Sequence, residues 1–523
     1  AGTPWARLHA EVLLPRAALL LLHWLQQQQQ PPQPPHHHHH LLSADEPPPD
    51  APEPPFVPSA VISNDWVAAL TAPYARHLQW TAACPGFGGL HHGAGGGAAL
   101  AQLQEAWRGV PFVHLVHNLE EGYDGALELQ RNLPLGALHA LHQLPSHLLH
   151  DGDRGGHGGH GGGMHGGGMH GGVHGGGGVH GRGGGRAATH PTTTLHLSRA
   201  ALLCANNWAT VSTGYREQLL RHESAAAGGA GGAAMAASVA GSQRMAPLLR
   251  AYSAPFACAS GIALAARRAR LGVALAECGG GGDRAAAKAA LQRRCFGEAG
   301  VRPGVPLLCF LGRIASQKGV HLLLDVLPAL LRQQQQEGGA VQLLVCGQAD
   351  PRDNYAQRCA AQMRALRAAH PLHFWAQPEL FFEAGLLASA GADFGLMPSL
   401  FEPCGLVREE FFAAGTPLVA SRTGGLSDRV LEYDERRGAD GGGSGNGLFI
   451  EGHTHQAVLA ALARALRLYR QPEHYAAMRR NAHASACDVA ETARCWQAEL
   501  ARLRACLMLR QLDGTASLHE LSV

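Results

Sequence analysis

The sequence predicts an α/β protein of two Rossmann-like domains that face each other across a cleft. From residue 305 onward, short runs that are apolar throughout alternate with helical patterns. Such strands, separated by helices, are typical of a parallel sheet covered on both faces. The chain before residue 265 shows the same alternation, interrupted by low-complexity inserts. A length of 523 residues is enough for two or three domains.

The overall composition limits the possible partners. Lys and Arg total 42 against 40 Asp and Glu, a formal net charge of +2, so the charge balance predicts no nucleic-acid partner. The 12 Cys residues include no C-x-x-C pair and are typical of free thiols in a reducing compartment. No apolar run approaches the roughly 20 residues of a membrane span. The chain starts at Ala1 with no clear signal or transit pattern, which indicates a processed chain or a fragment.

We assign the first domain to residues 1–265 and expect three disordered inserts within it, near 26–55, 151–186 and 225–240. The second insert is almost pure Gly and His. Imidazoles bind transition metals, but their irregular spacing in a glycine chain favours a solvated segment. Between the inserts, the predicted helices lie at 16–26, 67–78 and 196–203, and the predicted strands at 59–63, 110–116 and 208–212.

Two polar residues follow the ends of the first two of these strands, namely Asp65 and His117. Each also has an ordinary interpretation. Asp65 stands where a helix N-cap is expected, and a histidine at a strand end is often structural. Taken alone, neither residue indicates a catalytic role.

We assign the second domain to residues 301–480, after a linker at 266–300, and expect C-terminal helices and a tail at 481–523. Its predicted strands lie at 305–311, 341–346, 372–376, 394–397 and 416–420. Its predicted helices lie at 318–332, 353–369, 379–390 and 405–414, and residues 454–512 are mostly helical.

Gly312, Arg313 and Lys318 lie where the first strand of this domain gives way to a helix. Ligands of parallel sheets bind at this carboxyl edge. Two cations beside a helix N-terminus are suited to hold a diphosphate, Arg as a planar fork and Lys as a point charge. A pair of solvated surface cations would have the same sequence.

Glu402 and Glu410 are separated by seven residues, so both side chains can face the same side of a site. Their carboxylates can accept hydrogen bonds from sugar hydroxyls, one on a transferred hexose and one on a nucleotide ribose. Gly405 and Leu406 lie at a helix start, where free N–H groups can receive phosphate oxygens. We interpret Glu409 as solvated. An ordinary acidic helix face shows the same spacing.

Thr423, Gly424 and Gly425 have the form of a tight turn that opens a helix. Because the two glycines have no side chain, a ligand can approach their backbone. A turn that simply requires glycine is the usual explanation of such a motif.

Three segments in order along this domain, GRIASQKG, PSLFEPCGL and RTGGLSD, resemble the starch and glycogen synthase family, which are retaining glucosyltransferases of the GT-B fold. Looser similarities in the first half are SNDWVAAL, HLVHNLEEGYDG and ATVSTGYREQLL. The resemblance covers most of residues 56–510 outside the inserts.

The resemblance implies specific roles. Arg313 and Lys318 would neutralise the leaving nucleoside diphosphate, Glu402 would bind the donor glucose, and Asp65 and His117 would reach it from the other domain. The implied substrate-binding positions are Gly312, Cys404, Gly405, Leu406, Glu410, Thr423, Gly424 and Gly425. No metal is implied, and no cofactor beyond a nucleotide-sugar co-substrate.

The chain departs from the family pattern at three places. The family begins with a strand and a Lys-x-Gly-Gly-Leu loop that embraces the donor, and this chain shows no such loop, which predicts an incomplete N-terminal domain. His196 and Arg199 stand where the family usually has Asn and Lys. Glu410 is typical of retaining GT-B enzymes broadly, whereas plant starch synthases often lack an acid there.

The function that the resemblance implies is transfer of glucose from ADP-glucose to the non-reducing end of an α-1,4-glucan with retention, in a plastid. Two alternatives remain open. The chain could be a retaining GT-B transferase for another nucleotide sugar or acceptor, or a catalytically silent glucan-binding or scaffold protein.

Overall fold

A computed structural model describes residues 60–64, 110–119, 126–128, 194–221, 245–252, 254–279, 283–437 and 445–512. Structural statements below concern these residues. Asp65, the helices predicted at 16–26 and 67–78, and the inserts predicted near 26–55, 151–186 and 225–240 lie outside them.

The first half forms a parallel sheet of four strands, and a separate antiparallel pair lies beside it. Its strands are β1 (Val61–Asn64), β2 (Phe112–Val116), β3 (Ala126–Glu128), β4 (Thr194–His196), β5 (Asn207–Thr210) and β6 (Phe256–Ala257). Its helices are α1 (Leu197–Cys204), α2 (Thr213–Arg221) and α3 (245–251). The sheet order is β1-β2-β5-β6, and β3 pairs with β4. Trp208 of β5 is fully buried and donates its indole N–H to the Leu249 carbonyl at 2.9 Å, which fixes α3 against the sheet.

The second half forms a parallel sheet of six strands. Two helices precede it, α4 (Leu264–Glu277) and α5 (Arg284–Phe296). Its strands are β7 (Leu307–Leu311), β8 (Gln342–Cys346), β9 (Phe374–Ala376), β10 (Phe394–Met397), β11 (Leu418–Ser421) and β12 (Gly447–Ile450). The helices within and after it are α6 (Val320–Gln336), α7 (Asn354–Ala369), α8 (Gly385–Gly391), α9 (Leu406–Ala413), α10 (Gly424–Arg429), α11 (His455–Tyr469), α12 (Pro472–Ala484) and α13 (Val489–Leu512).

The order of this sheet is β12-β11-β10-β7-β8-β9. The chain therefore builds outward from β7 in one direction and then from β10 in the other, which is the doubly wound arrangement of a Rossmann fold. Every residue of β8, β9, β10, β11 and β12 is buried. The apolar runs mark these strands because helices cover both faces of the sheet. The predicted α/β class is confirmed.

Several helices begin at other residues than predicted, because local turns precede them. The helix predicted at 318–332 starts at Val320, because Ser316–Lys318 form a separate 3₁₀ turn. The helix predicted at 379–390 was placed too early, since α8 begins at Gly385. The strand β12 was not predicted, because its four residues follow a glycine-rich segment that hides the apolar run.

The predicted linker, 266–300, contains much of α4 and all of α5. Asp283 caps α5 by accepting a hydrogen bond from the Ala286 amide at 2.8 Å. Leu291 and Phe296 belong to the same hydrophobic cluster as the strands β7 and β8. This segment therefore contributes to the core beneath the second sheet.

The last helix, α13, returns to the first sheet. Leu503 and Leu507 pack in one cluster with Val113 and Phe256, and Trp496 meets Phe256 edge to face with ring centroids 5.3 Å apart. The chain thus passes between the two halves twice, near Ile262 and again near Val489, and the two passages lie side by side. At the crossings, the Val489 amide donates to the Ile262 carbonyl at 2.8 Å. No helix among the described residues is long and apolar enough to cross a membrane.

Candidate functional site

The six-stranded sheet has a topological switch point between β7 and β10, where the chain leaves neighbouring strands in opposite directions. In open α/β sheets ligands bind in the crevice at this point. A cavity of about 890 Å³ opens at the carboxyl ends of β7 and β8. Its lining includes Gly312, Arg313, Gly347, Phe382, Glu410 and Arg267. Three of the predicted site residues, Gly312, Arg313 and Glu410, therefore share this cavity.

The floor of the cavity depends on a close approach of two strand ends. The Gly312 amide donates to the Cys346 carbonyl at 3.1 Å, and a Cβ at Gly347 would overlap the Gly312 carbonyl oxygen. Gly347 was not predicted as a site residue. Its position directly after an apolar strand, as for Gly312, was the available signal.

Lys318 and Glu402 meet across the switch point. The Lys318 ammonium lies 2.6 Å from Glu402 Oε2, and the Ser399 hydroxyl donates to the same oxygen at 3.0 Å. The Glu402 side chain is only 5% exposed and that of Lys318 17%, so a charge pair is held in a largely desolvated place. The two loops are also tied through the backbone, because the Leu400 amide donates to the Gln317 carbonyl at 2.9 Å.

Arg313 stands at the open side of the same edge. It lines the cavity, and its guanidinium reaches the Gln317 side-chain oxygen at 3.4 Å in an exposed position. Its charge therefore remains accessible to an anion in the cavity. Arg313 precedes the 3₁₀ turn that ends at Lys318, so both cations lie in the loop between β7 and α6.

The space that side chains at Gly424 and Gly425 would fill is taken by the chain itself. Gly424 has a φ of +42°, and a Cβ on it would overlap the Glu402 carbonyl oxygen. A Cβ on Gly425 would lie 2.5 Å from the Cys404 carbonyl oxygen. The Gly425 amide donates to the Glu402 carbonyl at 2.8 Å. These glycines therefore position the turn that carries Glu402.

Cys404, Gly405 and Leu406 form the entrance to α9. Gly405 has a φ of +79°, a left-handed conformation that favours glycine, and it precedes the first helical residue, Leu406. Burial raises the pKa of the Cys404 thiol. A thiol in this state is a poor nucleophile, which argues against covalent chemistry at this turn.

The interpretation of Glu409 as solvated was wrong. Its side chain is fully buried; Oε1 lies 2.6 Å from the Arg408 guanidinium, and Oε2 accepts from the Cys487 amide at 2.7 Å. Arg408 also donates to the Gly425 carbonyl at 2.5 Å. The pair therefore links α9 to the turn at Gly425 and to the segment that follows α12. Sequence spacing cannot distinguish this acid from its neighbour, because both lie on the same short helix.

Glu410 points to the other side of α9. It lines the cavity, and its Oε2 accepts from the Arg267 guanidinium of α4 at 3.0 Å. Arg267 was not predicted as a site residue, and no motif in the sequence marks it. Glu402 and Glu410 thus have different partners, Lys318 for one and Arg267 for the other.

The first domain contacts the turn around Glu402 through Tyr215. The Leu119 amide donates to the Tyr215 hydroxyl at 3.0 Å, and the Tyr215 ring meets Phe401 edge to face at 5.3 Å between centroids. Nearby, the Ser212 hydroxyl donates to the Pro403 carbonyl at 2.5 Å. One aromatic side chain therefore joins the H-N-L segment, which contains His117, to the Glu402 turn.

The remaining predicted residues belong to both halves of the chain. His117 directly follows β2 and is partly exposed. Thr423 is buried, and its hydroxyl accepts from the Gln218 amide group of α2 at 3.2 Å. His196 is buried at the end of β4, and Arg199 is half-buried in α1. Asp65 lies outside the described residues. Among the described residues, no group of three or more His, Cys, Asp or Glu is arranged to hold a metal ion.

Comparison with known proteins shows which fold surrounds this site. Residues 294–485 match the family model described as glycosyl transferases group 1. The catalytic domain of starch synthase IV from Arabidopsis thaliana, solved bound to ADP and acarbose, superposes with a TM-score of 0.60 at 17% identity, over 97% of this chain and 79% of that chain. The fold is therefore that of the GT-B glycosyltransferases, with a group 1 domain around the six-stranded sheet.

The sequence relatives of this region are glycogen synthases. The glycogen synthase of Anaeromyxobacter sp. (strain Fw109-5) is 37% identical over 199 residues, which are 37% of this chain and 37% of that protein. The glycogen synthase of Anaeromyxobacter sp. (strain K) is 39% identical over 188 residues, 35% of this chain and 34% of that protein. The chain thus spans little more than a third of these relatives. The region that matches the group 1 family model is thus similar in sequence to glycogen synthases.

Proposed function

We propose that the protein transfers glucose from ADP-glucose to the non-reducing end of an α-1,4-glucan, with retention at the anomeric carbon. The observation that supports this best is the ion pair of Lys318 and Glu402 at the switch point, 2.6 Å long, beside a cavity lined by Arg313 and Glu410. The ion pair and the cavity lining would together supply cations for a diphosphate and carboxylates for sugar hydroxyls, although Lys318 and Glu402 do not themselves line the cavity.

The charges suit a donor with a diphosphate leaving group. Negative charge grows on the diphosphate as the glycosidic bond breaks, and preorganised cations stabilise such charge most effectively in a site that excludes water. Arg313 and Lys318 would supply these cations. An incoming diphosphate competes with Glu402 for Lys318, and this competition would free carboxylate oxygens of Glu402 to accept hydrogen bonds from the glucose hydroxyls. Donor binding and sugar orientation would then be coupled.

We propose that no metal ion or cofactor takes part, since the two cations serve the role that a divalent ion has in other nucleotide-sugar enzymes. His117 would contribute from the first domain, because the Tyr215 contact holds its segment beside the Glu402 turn. The partners would be the nucleotide sugar and the α-glucan. The plastid location stays a prediction, and both relatives named above are bacterial.

The test is incorporation of labelled glucose into glycogen by the full chain, with ADP-glucose and UDP-glucose as separate donors. We expect Lys318→Ala and Glu402→Ala each to lower the rate by about two orders of magnitude or more, because each removes a contact that strengthens in the transition state. Rates near those of the parent chain in either variant would refute the assignment of these residues.

Two controls separate chemistry from folding. Removing one partner of a buried ion pair destabilises a fold, so the thermal midpoint of each variant is measured beside its rate. As a control, Arg364→Ala breaks the exposed ion pair between Arg364 and Glu379. It should leave both the rate and the thermal midpoint unchanged. A rate loss in Lys318→Ala with an unchanged midpoint would locate the effect in the site.

The same assay discriminates the alternatives. A higher rate with UDP-glucose would favour a transferase for another nucleotide sugar. Binding of glycogen without incorporation from either donor would favour a catalytically silent glucan-binding protein.

A further inference from the structure

Arg267 and Glu410 form an ion pair at the cavity. This pair links the cavity to α4, the helix that follows the passage of the chain between the two domains. Arg267 belongs to α4, which follows the crossing from the first domain, and Glu410 belongs to α9 of the second. The guanidinium donates to Glu410 Oε2 at 3.0 Å, and both residues line the cavity. The Arg267 side chain is 15% exposed. The Glu410 side chain is 31% exposed, so the pair is only partly covered and the carboxylate stays open to the cavity.

The neighbouring arginines of α4 have different environments. Arg268 donates to the His483 carbonyl at 2.8 Å, in an exposed position on α12. Arg270 lines the cavity, but among the described residues no ion pair involves it. Arg267 is therefore the arginine of this helix that is committed to a carboxylate in the cavity. Its contact uses one oxygen of Glu410, and among the described residues no hydrogen bond engages the other, Oε1.

We propose that Arg267 is a positioning residue for the nucleotide: it holds Glu410 by Oε2 so that Oε1 accepts a hydrogen bond from a ribose hydroxyl of the bound nucleoside diphosphate. This inference rests on the function proposed above. A carboxylate held by a planar guanidinium loses rotational freedom before the ligand arrives, so less is lost when the ribose binds.

Arg267 would also reduce the electrostatic repulsion between Glu410 and a bound diphosphate. A free carboxylate at Glu410 would repel the anionic diphosphate that Arg313 attracts into the same cavity, because like charges in a partly desolvated cleft interact more strongly than in water. The Arg267 cation offsets this repulsion. Glu410 can then serve a ribose without weakening diphosphate binding.

The experiment measures equilibrium binding of ADP, 2′-deoxy-ADP and 3′-deoxy-ADP to the full chain by calorimetry, without any need for turnover. In the parent chain, one of the two deoxy ligands should bind about tenfold more weakly than ADP, since hydrogen bonds to charged groups contribute that much. Arg267→Ala should weaken ADP binding about fivefold and remove most of this deoxy penalty, because the carboxylate is no longer held. Arg267→Lys should lie between the two.

The double variant gives the sharpest comparison. If Arg267 acts through Glu410, then Glu410→Ala should abolish the deoxy penalty, and adding Arg267→Ala to it should change ADP affinity little further. Arg268→Ala, on the same helix but bound to α12, should bind all three ligands as the parent chain does. Unchanged thermal midpoints would exclude misfolding as the cause.

Two results would overturn the inference. Tighter ADP binding by Arg267→Ala would show that the Arg267–Glu410 pair opposes nucleotide binding and must break before the donor binds. A full deoxy penalty in Arg267→Ala would show that Glu410 needs no positioning, while the proposed function would stand. Failure of the parent chain to bind ADP would instead reject the proposed function itself, and this inference with it.

Discussion

Two adjacent acids on α9 have opposite environments. Glu409 is fully buried between the Arg408 guanidinium and the Cys487 amide, whereas Glu410 faces the cavity and Arg267. A rotation of about 100° per helical residue is enough to turn one carboxylate into the core and the next toward a ligand. The first acid belongs to the scaffold, and the second belongs to the candidate site.

This difference predicts opposite effects on stability. Glu409→Ala leaves the buried Arg408 charge without its partner and should lower the free energy of unfolding by about 3–5 kcal/mol. Glu410→Ala removes a partly exposed pair and should change it by less than about 1 kcal/mol. Urea unfolding of the two variants measures both values. A small effect of Glu409→Ala would contradict the anchoring role of the Arg408–Glu409 pair.

The chemistry of single residues was partly predictable. Lys318 and Glu402 were assigned to one site because strand ends in a parallel sheet share an edge, and they do meet there. The reason for glycine at positions 424 and 425 was not predictable. The sequence does not show whether a ligand or another part of the chain fills the space that a side chain would take. Arg267 was missed because its partner is 143 positions away.

At the scale of elements, α2 of the first domain is capped by a residue of the second. Both carboxylate oxygens of Asp428 in α10 accept hydrogen bonds from the start of α2, from the Thr213 amide at 2.7 Å and the Gly214 amide at 2.8 Å. The side chain satisfies N–H groups that a helix cannot satisfy itself and places negative charge at the positive end of its dipole. The cap thus holds α2 against α10.

Loss of this cap should loosen α2. Asp428→Ala should weaken the first turn of α2 by about 1 kcal/mol, as removal of helix caps generally does. Hydrogen exchange of the amides at 213–216 measures this directly. As a control, Asp353→Ala removes the cap of α7, which accepts from the Tyr355 amide at 2.8 Å within the second domain, and should speed exchange in α7 alone. Equal protection of α2 in Asp428→Ala and the parent chain would refute the cap.

In the second half, the positions of the strands and helices were more predictable than the residues at which they begin and end. Apolar runs predicted β7 to β11, because full burial leaves no polar alternation to confuse the pattern. Boundaries moved where local turns took over, as at the 3₁₀ turn before α6. The helices α4 and α5 were hidden in the predicted linker, since their Ala- and Arg-rich sequence shows little apolar periodicity.

At the scale of the whole molecule, the two halves depend on each other through α13. Leu503 is 7% exposed and packs with Val113 and Phe256 of the first sheet, while Leu509 on the same helix is 60% exposed. Leu503→Ala should therefore lower the free energy of unfolding by about 2–5 kcal/mol, the usual effect of emptying a core position. Leu509→Ala should lower it by less than about 0.5 kcal/mol.

Limited proteolysis locates the effect. If α13 completes the first sheet, cleavage in Leu503→Ala should accelerate at residues 194–221, although the substitution lies nearly 300 positions later (503 against 207 in β5). Leu509→Ala serves as the matched control and should be cleaved like the parent chain. Acceleration confined to the second domain would contradict this dependence. The sequence predicted helices over 454–512, but their return to the first sheet is a long-range contact that no local pattern encodes.

The return of α13 also sets the order in which the chain acquires its native contacts during synthesis. Domains generally fold as units as they leave the ribosome, the N-terminal one first. Here the sheet made first lacks one of its packing partners until Val489–Leu512 has been translated. The second domain, whose strands lie between 307 and 450, is complete before that. The half that is synthesised first should therefore be the last to reach its final stability.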